Sequence, residues 1–223
     1  MSKVKVSDYF SHEDLVRITD AVAGAESKTS AEIVPYIVER SDDYEEALWR
    51  AGGLVSSLVL GTFGVLSAFT GVWLPFGLPT TVAIVLLSGA VTMLKVRWIP
   101  FLRRMFAGKE LMTLRVAQRA REAFLSEEVF RTRERTGILL FISLLEHEVI
   151  VLADTGIARR VAGDRWNGVV DCVLRGVRSG APADGVIDAV RTMAHLLEEH
   201  GLVHSIDDRN ELPDRPRGQK DQP

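Results

Sequence analysis

Hydrophobic and polar positions along this chain fall into three regimes: helical spacing, strand-like runs and one long apolar stretch. Leu15, Ile18, Val22 and Ala25 recur at the three-to-four spacing of an amphipathic helix. Ser11 stands where it can cap the free N–H groups, Asp14 falls at the third helical position, and Phe10 is placed to staple onto Leu15. Ala31 to Glu39 follows as a strand rich in Ile33, Val34, Tyr36, Ile37 and Val38. Pro35 removes one ladder donor from it and predicts an edge position or a bulge.

The second regime is an uncharged run. From Ala51 to Leu94, 44 residues pass without Asp, Glu, Lys, Arg or His, and Pro75-Phe76-Gly77-Leu78-Pro79 interrupts the middle. Each half offers about 20 largely apolar residues, which at about 1.5 Å rise per residue matches a hydrocarbon core about 30 Å thick. The pattern predicts a transmembrane helical hairpin over 51–99, with spans near 52–74 and 80–98. Trp49, Trp73 and Trp98 bracket the spans, as expected of indole rings at headgroup level. Gly53, Ser57 and Gly61 form a stripe of small residues that allows close helix packing. It is suited to Ser88 and Thr92 of the second span, or to another copy of the chain as a homo-oligomer face.

After the hairpin the soluble regimes resume. Lys109 to Phe130 reads as a helix, with Leu111, Leu114, Ala117, Ala120, Phe124 and Leu125 along one side. Ile138 to Leu144 is the strongest strand signal, and Glu146-His147 turns it into Val149 to Ala153, an antiparallel hairpin. Continuous hydrophobicity in that pair implies burial on both faces under helices. Two more helices are predicted near Asp164–Arg178 and Pro182–His200, with Pro182 in a first turn and Gly201 as a C-terminal cap. Residues 205–223 are polar and read as a disordered tail.

The order of these elements has a topological consequence. Ala31 to Glu39 is not stable as a lone strand, and its natural partner is the Ile138 to Ala153 hairpin. The expected fold is therefore α/β, a small α/β/α sandwich with a short mixed sheet, interrupted by the two-helix transmembrane hairpin. Residues 1–50 hold its first helix and strand, and residues 100–204 the remainder.

Charge sets orientation and excludes some partners. The net charge is −3, so nothing attracts nucleic acid to the chain as a whole. Lys95, Arg97, Arg103, Arg104 and Lys109 follow the second span, while the inter-span turn is uncharged. A Lys/Arg excess marks the cytoplasmic side, so a multi-pass protein with two spans and both termini cytoplasmic is expected. Met1 to Val6 leads directly into polar sequence without an apolar leader. The basic residues and the tryptophans are thus candidate membrane-interface residues, and the lipid bilayer is the first expected partner. The single Cys172 excludes an intramolecular disulfide. Two spans without an ionisable group offer no ion pathway.

Candidate chemistry is sparse. His195 and Glu199 share a helix face, but with His200 and His204 they do not make the spacing that pairs two metal ligands with a base. Cys172 reads as a small core residue. Arg131, Arg133 and Arg135 beside Thr132 and Thr136 suit either an anion or a solvated loop near headgroups, and Glu127-Glu128 reads as an ordinary exposed pair. No nucleophile elbow or glycine-rich phosphate cradle is present.

The Ser30-Ala31-Glu32-Ile33-Val34 strand after its helix, the run Arg133-Glu134-Arg135-Thr136-Gly137-Ile138-Leu139-Leu140-Phe141-Ile142, and Glu148 to Ile157 together resemble the TPM domain. That family takes its name from thylakoid-lumen, photosystem-repair and acetylcholine-receptor auxiliary proteins. The resemblance covers about residues 8–40 and 110–200 and implies an α/β/α sandwich. It also implies a membrane-anchored module that assists assembly or maintenance of membrane complexes through a membrane-protein partner. Acid-phosphatase activity and divalent-cation binding are proposed for some members, which implies a weak metal-dependent phosphatase as the alternative. This chain departs from the family where many members carry Asp-Asn-Gly, having Arg135-Thr136-Gly137. It departs again where they often carry Gly-x-Gly, having Asp154-Thr155-Gly156. For Ca²⁺ or Mg²⁺ it offers Asp154, Asp164 and backbone carbonyls, few ligands for a hard cation. The plain reading of Asp154 is a turn residue, and of Asp164 a helix cap. No other cofactor is implied.

Overall fold

The structure is a computed structural model and describes residues 5–70, 77–203 and 212–218. In chain order the elements are α1 (His12–Glu26), β1 (Glu32–Val38), α2 (Glu45–Thr70), α3 (Leu78–Trp98), α4 (Pro100–Ala107), α5 (Lys109–Ser126), β2 (Gly137–Ser143), β3 (Glu148–Ala153), α6 (Thr155–Ala158), α7 (Asn167–Ser179), α8 (Pro182–Glu199) and β4 (Arg217–Gly218). The chain divides into two units, Asp42–Met112 and Val4–Ser41 with Thr113–Pro223.

The larger unit is an α/β/α sandwich. Its mixed sheet runs β3-β2-β1-β4, with β1 parallel to β2 and β4, and β2 antiparallel to β3. Side chains alternate faces along a strand. Ile33, Ile37, Ile138, Leu140 and Ile142 therefore meet α1, α7 and α8 on one side. Val34, Tyr36, Val38, Leu139 and Phe141 meet α5 on the other. Parallel strands need a long crossover. Here the crossover from β1 to β2 contains both apolar helices, α4 and α5. The interrupted sandwich expected from element order is the observed architecture.

Local chemistry explains the elements. Ser11 caps α1 as expected: its Oγ accepts from Asp14 N at 3.1 Å, and Ser11 N donates back to the Asp14 carboxylate at 3.0 Å. That backbone N–H holds the Asp14 carboxyl below its usual range. β2 is buried along its length, while β3, at the sheet edge, is half-buried. The β2–β3 turn closes with His147 in the left-handed region at φ 54°.

Three expectations need correction. Pro35 lies on an inner strand, not an edge, and β1 pairs along its length without a bulge. Its missing donor faces the β4 side, where pairing begins only at Tyr36. The buried stripe of α5 is Val116, Ala120 and Ala123, while Leu114 and Leu125 are exposed. Small side chains let that helix lie close to the sheet, and the larger leucines fall outside the contact. Finally, the stretch read as a disordered tail contributes structure at 212–218: Leu212 is buried and Arg217–Gly218 pair with Tyr36 and Ile37. Leu212 anchors it in the apolar cluster, and Arg217 ties it to Glu127 at 2.8 Å. The other residues of 205–223 lie outside the described ones.

In the smaller unit, α2 and α3 pack as an antiparallel hairpin with α4 against both. The 26 residues of α2 and 21 of α3 are long and apolar enough to cross a membrane. Small residues line the contact. Ser56 Oγ donates to the Val85 carbonyl at 3.1 Å, and Gly52 faces Gly89. Ser88 and Thr92 are half-buried, and their hydroxyls donate within their own helix, to the Val85 and Ser88 carbonyls at 2.8 Å. The residues of α2 that face α3 are Gly52 and Ser56, set against Gly89, one position away from the expected stripe; Gly53, Ser57 and Gly61 point outward. The Pro75-Phe76 turn and Trp73 lie outside the described residues.

Candidate functional site

Asp154 sits where β3 runs into α6, and the fold gives its carboxylate two local tasks. Oδ1 accepts from Thr155 N at 2.6 Å, capping the short helix. Oδ2 lies 2.9 Å from Arg135 Nε, an ion pair in which the acid is buried and the arginine half-exposed. The Arg135 guanidinium also lies 5.8 Å from the Phe130 ring centre. Arg135 is held in the left-handed region at φ 59°, and its carbonyl accepts from Gly156 N at 2.9 Å. Thr132 Oγ1 accepts from Thr136 N at 2.9 Å, tightening the same loop.

This constellation joins two stretches singled out in the sequence, Arg131–Thr136 and Asp154–Gly156. Arg131 and Arg135 are engaged by different acids. Arg131 pairs with Glu128 at 2.7 Å and Arg135 with Asp154. Asp164 is exposed in a 3-10 turn, Gly163–Trp166, that leads into α7; its side chain makes no cap hydrogen bond there. Among the described residues no group of three or more His, Cys, Asp or Glu is arranged to hold a metal ion.

On α8, His195 Nδ1 lies 3.3 Å from Glu199 Oε1, so those two do share a face. Arg165, Arg191, Thr192 and Leu196 complete an open cleft around them. His200 turns away to the Leu196 carbonyl at 2.8 Å, and His204 lies outside the described residues. Cys172 is buried in the core, with Arg175 Nη2 3.3 Å from its Sγ.

Of the residues expected at a membrane interface, Trp49 and Trp98 are exposed at the charged end of the hairpin, with Lys95 and Arg97 also exposed and Arg104 half-buried. Arg103 is turned inward instead, buried and donating to the Arg97 carbonyl. Phe101 and Met105 of α4 stay exposed.

Several polar groups escaped the sequence reading. Glu146, assigned to a turn, is buried; it accepts from Ser41 N at 3.0 Å and from the Ser143 hydroxyl. Glu26 closes α1 with its carboxylate inside, accepting from Ile33 N at 2.7 Å. Burial pushes the Glu26 carboxyl up to about 9, with the carboxylates of Glu32 and Asp214 adding to the rise and the Ile33 N–H opposing it. Glu127 is no ordinary exposed acid, for it holds Arg217 at 2.8 Å. The signal for Glu26 and Glu32 lay in their bracketing of the turn into a wholly apolar strand.

No family model matches the chain, and no curated protein matches it. Among solved structures it is similar to the NMR structure of the BA42 protein from the psychrophilic bacterium Bizionia argentinensis. The TM-score is 0.59 at 16% sequence identity, covering 96% of this chain and 99% of that one. At that identity the likeness is one of fold alone.

Proposed function

We propose that this chain is a membrane-anchored interaction module of TPM type, whose α/β/α domain binds membrane proteins at the cytoplasmic face and assists their assembly or maintenance. The observation that carries the reading is the inverted polarity of the hairpin. Of an apolar 18-residue stretch in each helix, only 6% is buried in α2 and 17% in α3. Leu54, Leu58, Leu66, Leu86, Leu87 and Leu94 are exposed, while Gly52, Ser56 and Gly89 face inward. A soluble core helix would bury its leucines; a lipid-facing pair exposes them and packs through small residues. Lys95, Arg97 and Lys109 at the charged end support a cytoplasmic placement of both termini.

The Arg135–Asp154 pair supports the interaction reading over the phosphatase alternative. A cation at Asp154 would compete with a guanidinium at Oδ2 and share Oδ1 with a helix cap. Affinity capture of the full chain in mild detergent tests the proposal. Recovery of a membrane protein in stoichiometric amount supports it, and recovery of lipid and chaperones alone overturns it.

A further inference from the structure

β1 uses one edge in full and the other hardly at all. Glu32 N donates to the Thr136 carbonyl and Leu144 N to the Val38 carbonyl, so the even-numbered residues of β1 face β2. By alternation Ile33, Pro35 and Ile37 turn their backbone groups outward. Ile33 N–H is already taken by Glu26, and Pro35 has no N–H to give. Such an edge offers little to a generic strand, yet residues 212–218 lie along it.

Side chains hold that segment at three places. Leu212 is buried in the same apolar cluster as Val34, Tyr36 and Phe141, and its N–H donates to Glu32 Oε2 at 3.2 Å. Arg217 Nη1 donates to Glu127 Oε2 at 2.8 Å and to the Glu127 carbonyl at 3.2 Å. Gly218 approaches β1 so closely that a Cβ there would stand 2.7 Å from the Ile37 carbonyl oxygen. The rim carries Glu26, Glu32 and Glu127; the segment sets Arg217 against Glu127 and Asp214 against the Glu26 carboxyl, while Arg215 is exposed.

We infer that the outer edge of β1 is a sequence-selective groove for an extended peptide of the pattern Leu-x4-Arg-Gly, and that residues 212–218 fill it in cis. The pattern follows from the contacts: an apolar anchor, an arginine for Glu127, and then glycine because any side chain meets a carbonyl. Main-chain pairing is limited to Tyr36 and Ile37, so the side chains set the choice of ligand. A tethered segment acts at an effective concentration on the order of millimolar, so an outside peptide competes poorly until the cis segment is weakened. This deepens the interaction-module reading by naming its docking edge and the chemistry of the segment docked there.

The test uses the full chain in detergent, with Gly218→Val, and a labelled peptide of residues 212–218. Gly218→Val should speed amide exchange at Ile37 by about tenfold or more, as expected when an edge contact opens locally. The peptide should bind that variant, restore protection at Ile37, and bind the natural chain about tenfold more weakly because the cis segment competes. A peptide ending in Val should not bind. In a second variant Arg217→Glu should raise exchange at Ile37, and Glu127→Arg added to it should restore protection. Unchanged exchange in Gly218→Val, equal binding of the Gly- and Val-ended peptides, or no recovery on charge reversal would each overturn the groove. Those outcomes leave the membrane-partner reading standing, whereas a failed capture with successful peptide binding removes that reading and keeps the groove.

Discussion

Gly52 on α2 and Gly89 on α3 meet across the apolar hairpin at a distance that excludes side chains. A Cβ on either residue would lie 3.3 Å from the other's carbonyl oxygen, and one on Gly89 would stand 2.4 Å from Ser56 Oγ. Gly89→Leu should force the helices apart at a cost of about 1–3 kcal/mol, typical of overpacking. The check is a lowered unfolding midpoint of the hairpin in detergent. Gly61→Leu, on the open outer side, should leave that midpoint unchanged. If the outer stripe joins two copies, crosslinking of the natural chain in detergent will give dimers that Gly61→Leu removes.

Glu26 predicts an unusual pH dependence. Its carboxyl keeps a proton up to about 9 in the fold, against 4.5 as the ordinary value. Below pH 4.5 both folded and unfolded chains hold that proton, so the contribution is fully present. As pH rises towards 9 the unfolded chain releases it first and the folded state loses stability. Glu26→Gln removes the titration while keeping an acceptor for Ile33 N. It should stabilise the domain near pH 8 by about 1–3 kcal/mol and leave it nearly unchanged near pH 4. Denaturant unfolding at the two pH values decides the matter; a gain that is equal at both would contradict the assignment.

Asp154→Ala should lower stability by about 1–2 kcal/mol, since it removes the α6 cap and the partner of Arg135. Asp154→Asn should retain most of the cap. Melting with and without millimolar Ca²⁺ or Mg²⁺ distinguishes the roles. The expected result is no cation-dependent shift in the natural chain. A shift that disappears in Asp154→Asn would restore the metal-dependent alternative.

Joining Ser41 to Thr113 through a flexible linker of about 12 residues, in place of Asp42–Met112, should leave a soluble domain that unfolds cooperatively. Both core clusters on the two sheet faces lie outside the deleted stretch. Aggregation, or a protein without a cooperative transition, would show that the sandwich depends on the hairpin.

The full chain should resist carbonate extraction from membranes, and a cysteine placed after Gly218 should stay unlabelled by an impermeant thiol reagent in intact cells. Labelling before permeabilisation would reverse the proposed topology.

The sequence by itself determined the elements whose identity is written in local periodicity. The Ser11–Asp14 cap, the strand runs of β1, β2 and β3, and the uncharged stretch with its proline break are all one-dimensional signals. Element order then dictated the insertion of the hairpin within a split sandwich, because a lone strand must find a partner. Tertiary structure alone decided which positions of each element touch. Helical rotation turned Gly52 inward and Gly53 outward, and placed Val116 rather than Leu114 on the sheet. It also brought together residues separated by most of the chain, such as Glu32 with Leu212 and Glu127 with Arg217. Such pairs leave no periodic trace, because a buried acid or a two-residue strand acquires its role only from what the folded chain sets against it.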